Sequence, residues 1–531
     1  MLSHRARSFV VSVIALFGAT ALAGCGDGTA GPDGSTVGPG RDGGPRSDGG
    51  GLPPPIPSLD GRMTPPVDFD PTARYAWDAP TPTVTVDALS EGGSGMTLAR
   101  ALAEASDGAV IAIAPSLAGA VLETREPLVV DASVTLDASR APGFTLDAGG
   151  TASGIRVGRD LHTRFVGLTI RNVRTTEVGG GLYVDQADGA ELGSVEVIGC
   201  RFLDNQGAAA GGLYVRRRVV ARIRDSVFER NVAIDAAGGD DLGKAGGAIS
   251  ARAEASITVE RVRFTDNDGP QAGALYTIGT TLTVVHSVFD GNGVRGVAEH
   301  GAMLTDGGSV TVDGVLFRSN RGNGFGGAVQ LYGYRDWGDR IVVRRSVFLE
   351  NETTNDKGGA AYLIGDQLVV DSSVFVRNRA GVDAGGIYFP GDGSVEIRNS
   401  IFGENECTTR SGGGFRRDAG GPLTIERTLF YRNTSGEFGG GFWMNPSIEG
   451  RFSRSVFSEN TIGPYLAGDG FVSEGGNLFF PVPDPEDQSP GDVFADPQLG
   501  PLTETNGVWW YPPAPGSPAA GILPVFPETA R

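Results

Sequence analysis

The chain has 531 residues, of which 40% are apolar and 20% charged, with 84 glycines and a formal net charge of −19. That much negative charge excludes a folded surface made for nucleic acid or an anionic membrane. So many glycines beside a modest apolar fraction suit one elongated repeat core rather than several globular ones, and three cysteines exclude a disulfide scaffold.

At the start of the chain, His4, Arg5 and Arg7 precede an apolar run from Phe9 to Leu22, which closes on Leu22-Ala23-Gly24-Cys25. The run is too short to span a bilayer and reads as an export signal. It resembles a bacterial lipoprotein signal, covering residues 1–24. The resemblance implies cleavage before Cys25 and a lipid on that residue. Because Gly26 follows where some lipoproteins carry a retaining Asp, it also implies an outer-membrane or cell-surface location. Residues 25–80 are rich in Gly, Pro, Asp and Ser and read as a disordered tether, with too little apolar surface to offset ordering entropy.

Residues 81–155 read as an N-terminal cap and the first coils. A strand is expected at Thr83–Val86 and a helix at Thr97–Ala105, with Leu98, Leu102 and Ala105 on one face. Strands follow at Val110–Ile113, Leu128–Val130, Val134–Leu136 and Phe144–Leu146. The helix is expected to plug the first coil, whose strand edges would otherwise pair with other molecules.

From 156 to 478 the chain repeats itself. Phe-x-x-Asn occurs ten times between Phe202 and Asn460, and seven of the nine intervals are 25 to 28 residues. Nearly every copy leads through a Gly-Gly or Ala-Gly step into a short apolar run. The period is too short for a propeller blade, and no amphipathic helix lies inside it. Three short strands per turn fit, as in Leu368-Val369-Val370, Ser346-Val347-Phe348 and Gly358-Gly359-Ala360-Ala361-Tyr362. The expected fold is therefore an all-β, single-stranded parallel β-helix with a short capping helix. Coils stacked at about 4.8 Å should pile the Phe rings, the small residues two positions earlier and the Asn side chains into columns, with the Asn also taking the left-handed bend. The residue before each Phe is apolar in eight of the ten copies, which strict in–out alternation leaves unexplained.

Residues 479–531 read as a C-terminal capping segment. The stretches Gly475-Gly476-Asn477-Leu478, Asp496-Pro497-Gln498-Leu499-Gly500-Pro501-Leu502, Asn506-Gly507 and Gly516-Ser517-Pro518-Ala519 resemble the closing motifs of the choice-of-anchor Q domain, with Ala520-Gly521 where that family has Ile-Asp. The Phe-x-x-Asn and Gly-Gly-Ala units resemble those of chlamydial polymorphic outer-membrane proteins. That family ends in a barrel, whereas Pro524–Arg531 carry no alternating strand series. Met96-Thr97-Leu98-Ala99-Arg100-Ala101-Leu102 stands where exported β-helices carry a Cys-Ser-Leu-Arg-Glu-Ala-like motif, without the Cys. Together the resemblances cover roughly residues 81–520. They imply a right-handed, exported, surface-displayed β-helix and no particular reaction.

No catalytic residue, cofactor or metal site is expected. Asp240-Asp241, Arg222-Ile223-Arg224 and His300-Gly301 resemble polygalacturonase pieces only singly and in the wrong order, and solvated loop charge accounts for them. His162, His286 and His300 are scattered over different coils, with no metal spacing. Cys200 and Cys407 fall seven coils apart, roughly 34 Å, and should be free thiols.

One pattern points to binding. The residue after the inward position of each Gly-Gly strand must face outward, and six of these ten residues are aromatic: Tyr183, Tyr214, Tyr276, Tyr362, Tyr388 and Trp443. Such a stripe could stack on a glycan or a partner's rings, or merely stiffen the sheet by cross-coil stacking. The expected function is a non-enzymatic surface lipoprotein in adhesion or envelope contact, held to the membrane by its N-terminal lipid, with a polysaccharide or cell-surface partner. An unrecognised polysaccharide lyase or hydrolase, and a purely structural spacer, are the alternatives.

Overall fold

The computed structural model describes residues 64–523, apart from 92, 152–153, 188, 190, 235–244, 253, 295–297, 334–337, 462–464, 467–469 and 484–487. The chain divides after Pro55. The first unit, with the export segment and Cys25, lies outside the described residues.

The second unit is a right-handed parallel β-helix. Three long parallel sheets run its length, with fifteen, fifteen and thirteen strands. The first runs from Val84–Val86 to Phe471–Ser473, the second from Val121–Glu123 to Val493–Phe494, and the third from Leu128–Val130 to Tyr465–Leu466. At about 4.8 Å per rung, fifteen strands extend roughly 67 Å. Three strands per coil is the rule, but some coils gain a short fourth strand just after the Asn. These pair in sets of three (Arg174–Val178 to Val232–Ile234) and four (Arg321–Gly322 to Glu406–Cys407).

The columns form as the period requires. All ten Phe pair in register, Phe202 with Phe228 and so on to Phe430 with Phe457, and the file continues to Phe479. Successive ring centroids lie 4.5 to 5.3 Å apart. The Asn side chains make a continuous buried ladder. Asn351 Nδ2 donates to Asn378 Oδ1 at 2.9 Å and to the Phe317 carbonyl at 3.0 Å, while its Oδ1 accepts from the Asn320 amide at 3.0 Å. Beside them, Ser346 Oγ donates to the Arg344 carbonyl at 2.8 Å and accepts from the Val315 amide at 3.2 Å, so the small file satisfies backbone as well as filling space.

The left-handed bends sit one residue earlier than expected. From Gly167 to Glu459 each coil turns at two corners with φ between 47° and 67°, one at the residue before the small file (Arg345, Ser372, Asn399) and one at the residue before the Asn (Glu350, Arg377, Glu404). The Asn is thus free to point inward, and its ladder compensates a backbone conformation that costs a non-glycine residue roughly 1–2 kcal/mol.

At the N-terminal end the helix spans Leu98–Ala103, capped by the Thr97 hydroxyl, and buries Leu98, Ala101 and Leu102 against the first coil. Val110–Ile113 and Leu128–Val130 are strands as expected, the neighbouring strands begin one residue later, and Val121–Glu123 is an additional one.

Two arms lie on the outside of the coils, the C-terminal one over the second sheet and the N-terminal one crossing from the second sheet to the first. The C-terminal stretch from Leu499 to Leu523 does not simply cover the last coil. It folds back over Val288, Leu316, Val347, Val374, Ile401 and Leu429, burying them with Tyr511 and Ala519. These are the apolar residues before each Phe, so they do point outward, onto a second small core.

The N-terminal arm begins within the stretch expected to be a tether. Thr64 Oγ1 donates to the Gly507 carbonyl at 3.0 Å, Val67 joins the second core, Asp70 pairs with Arg201, and Trp77 Nε1 donates to Asp137 Oδ2 at 2.9 Å. Averaging the composition over residues 25–80 hides Val67, Tyr75 and Trp77, the apolar groups that hold this segment down. Both arms seat a tyrosine over a glycine. A Cβ on Gly199 would come within 2.4 Å of the Tyr75 ring, and one on Gly403 within 2.5 Å of the Tyr511 hydroxyl. Cys200 and Cys407 are both free and buried, and burial pushes their thiols up to about 12 and about 11.

Candidate functional site

Alternation along the third sheet places the aromatic residues on its outer face, in register. Tyr183 pairs with Tyr214 and Tyr362 with Tyr388, with ring centroids 5.9 and 5.3 Å apart. They do not form an open stripe. Tyr214, Tyr276, Tyr362 and Tyr388 are buried, and only Tyr183 and Trp443 keep part of the ring accessible. Several of the segments between an Asn and the next Gly-Gly step fold over these rings. Ala209 and Ala210 cover Tyr214, Ala272 packs on Tyr276, and Ala384 with Phe325 and Tyr332 encloses Tyr362 and Tyr388.

Cations complete this covering. The Arg252 guanidinium lies 5.8 and 5.5 Å from the ring centres of Tyr214 and Tyr276, and the Arg416 guanidinium 4.2 Å from that of Trp443. Each such contact is worth about 0.5–2 kcal/mol, and more when water is excluded. The stripe therefore acts first as a stiffener of the sheet.

Toward the C-terminal half, this layer gathers a compact charged cluster. Asp383 is wholly buried; its Oδ1 accepts from Arg416 Nη1, and its Oδ2 faces Lys357 Nζ at 3.8 Å. Arg416 Nε donates to Asp418 Oδ1 at 2.7 Å, so one guanidinium binds two carboxylates. Lys357 Nζ donates to Tyr388 Oη at 3.3 Å, and Tyr388 Oη donates to Asp418 Oδ2. Burial, against the pull of Arg416 and Lys357, leaves the Asp383 carboxyl above the usual carboxylate range. Burial and the charge of Asp418 hold the Tyr388 phenol protonated well above its ordinary value. Asp356 is raised as well, first by burial and then by Asp383.

Sequence reading found Tyr362, Tyr388 and Trp443 here and missed Lys357, Asp383, Arg416 and Asp418. The available signal was the alignment of the Gly-Gly strands, which puts Arg416 at the same outward position as the tyrosines.

Of the polygalacturonase-like pieces, the two among the described residues are not brought together. Arg222 and Arg224 belong to a strand of the first sheet, Arg222 facing Glu196 at 3.7 Å, while His300 lies in the turn before the third sheet, its Nδ1 3.0 Å from the Phe325 carbonyl. Asp240 and Asp241 lie outside the described residues. Among the described residues no helix is long and apolar enough to cross a membrane.

The stacked files and parallel register define the class, a right-handed parallel β-helix. Consistent with this, a family model described as a right handed beta helix region matches residues 153–336. Neither a search of curated proteins nor one of solved structures returned a match.

Proposed function

We propose that this chain is an exported, lipid-anchored β-helical rod displayed at the cell surface, which contacts glycans or a surface partner rather than performing catalysis. The lipoprotein-like segment ending at Cys25 supports export and anchoring, and the closing motifs like those of the choice-of-anchor Q domain support surface display. The observation that carries the reading is Trp443, a half-accessible indole on the outer face of the third sheet. Its ring is braced by Arg416, whose Nε in turn donates to Asp418 Oδ1. A ring held rigid beside a fixed charge pair is the combination that stacks on a sugar face and bonds its hydroxyls.

The test is a glycan and cell-surface binding screen with the full chain. Trp443→Ala and Tyr183→Ala are expected to weaken binding about tenfold or more, about 1.4 kcal/mol. Unchanged binding by the double variant, with the circular dichroism of the wild type, refutes the reading. Anchoring is tested separately: Cys25→Ser is expected to abolish incorporation of labelled fatty acid and to release the protein from membranes.

The alternative of polysaccharide cleavage draws on the two carboxylates, Asp383 and Asp418, that share Arg416. Release of reducing or unsaturated ends by the purified protein, lost in Asp418→Asn, would replace the first reading.

A further inference from the structure

The chain contains 42 arginines but only two lysines, Lys244 and Lys357. Lys244 lies outside the described residues, and Lys357 stands beside a carboxylate that is wholly buried. A position that needed only positive charge would be served by arginine, the residue used almost everywhere else in the chain. Lysine differs in one chemical respect: it can lose a proton and attack.

We propose that Lys357 and Asp383 become joined by an isopeptide bond, an amide between Lys357 Nζ and Asp383 Cγ that staples two neighbouring coils. The nucleophile lies 3.8 Å from Asp383 Oδ2, which has no hydrogen-bond partner although the side chain is completely buried. A path for the proton is in place: Lys357 Nζ donates to Tyr388 Oη at 3.3 Å, and Tyr388 Oη donates to Asp418 Oδ2. Arg416 Nη1 binds Asp383 Oδ1, the oxygen on which negative charge grows as Cγ becomes tetrahedral. The same guanidinium fixes the proton acceptor, through Nε to Asp418 Oδ1 at 2.7 Å. Water is excluded from the electrophile, since Asp383 is wholly buried, while the Lys357 side chain keeps 26% of its surface exposed.

In the reaction, the Lys357 ammonium passes one proton through Tyr388 to Asp418, and the freed lone pair forms the Nζ–Cγ bond. The Cγ–Oδ2 bond then breaks. Oδ2 departs as water with a second proton from Nζ and the one held by Asp418. Ammonium plus carboxylate become amide plus water, with no oxidant, nucleotide or other reagent. The inference is independent of the proposed function.

The test is the peptide mass map of the folded full-length chain after arginine-specific digestion. Separate peptides Ser346–Arg377 and Ala380–Arg398 contain Lys357 and Asp383 respectively. The expected result is one branched species whose mass is their sum less one water, with fragment ions placing the link at those two side chains. Lys357→Gln is expected to give the two separate peptides, and Asp418→Asn to leave most chains unlinked while the far-ultraviolet spectrum stays native. Two separate, unmodified peptides from the wild-type protein overturn the proposal, whatever the variants do. A branched species persisting in Lys357→Gln overturns it as well, because the link would then lie elsewhere.

Discussion

The Asn ladder gives the sharpest test of what holds the coils in register. Asn351 is wholly buried and bridges three coils, donating to Asn378 Oδ1 and the Phe317 carbonyl and accepting from Asn320. Asn351→Ala leaves the Phe317 carbonyl and the Asn320 amide buried without these partners. Two such orphans cost about 1–3 kcal/mol each, so a loss of about 3–5 kcal/mol is expected. In a solenoid this appears first as local opening, because each coil is coupled mainly to its neighbours. The assay is hydrogen exchange at the Asn320 amide, read against the Asn267 amide, which belongs to the same ladder two coils away. The Asn320 amide should exchange about 10²- to 10³-fold faster, and the distant one should change little. Asn351→Asp adds a check of sign. A carboxylate facing the Phe317 carbonyl and Asn378 Oδ1 has its pKa raised by burial, so its stability deficit grows as pH rises through neutrality and shrinks toward pH 4. Less than a tenfold change at Asn320, or an Asn351→Asp variant insensitive to pH, refutes the ladder as a source of stability.

Arg417 points into the core and is fully buried, donating to the carbonyls of Ala419 and Gly393 at 2.9 and 2.6 Å; Arg417→Met is expected to cost about 2–4 kcal/mol in urea unfolding, and a neutral result would show the bonds to be replaceable by packing. Burial lowers the pKa of His286 and of His300, so their neutral forms belong to the folded state. Their contribution is complete above about pH 6.5 and falls as pH drops below it. Thermal midpoints at pH 7.5 and 5 should therefore diverge less in the His286→Asn, His300→Gln double variant than in the wild type, and an equal divergence refutes the assignment. Gly403→Ala drives a methyl into Tyr511, so chymotrypsin is expected to cut the C-terminal arm faster while the coils remain intact, with cleavage at the wild-type rate as the contrary outcome.

What could be read in the sequence is what the period repeats. The Phe, Ser and Asn files recur at one spacing, and stacking converts a spacing into a column without knowledge of anything distant. The apolar residues before each Phe carried no such explanation, because their partners are in an arm that returns from beyond residue 499. Alternation correctly turned Tyr362 and Tyr388 outward yet gave no view of Phe325 and Ala384 closing over them, since those segments vary in length from coil to coil. The charged cluster left two traces, Arg416 at the outward position of its Gly-Gly strand and Lys357 as one of only two lysines in the chain, and nothing local ties Lys357 to Asp383.

The N-terminal arm decides how the rod meets a load. Thr64 bonds the hairpin that ends at Trp510, and from there the arm passes Arg201 and Gly199 to Asp137 before the first strand begins. Tension applied upstream of Thr64 is therefore borne in turn by its bond to Gly507, the Asp70–Arg201 pair, the Tyr75 seat and the Trp77 bond. The first strand feels no pull until these contacts have been peeled away one after another, so the strip serves as strain relief for the windings beneath it.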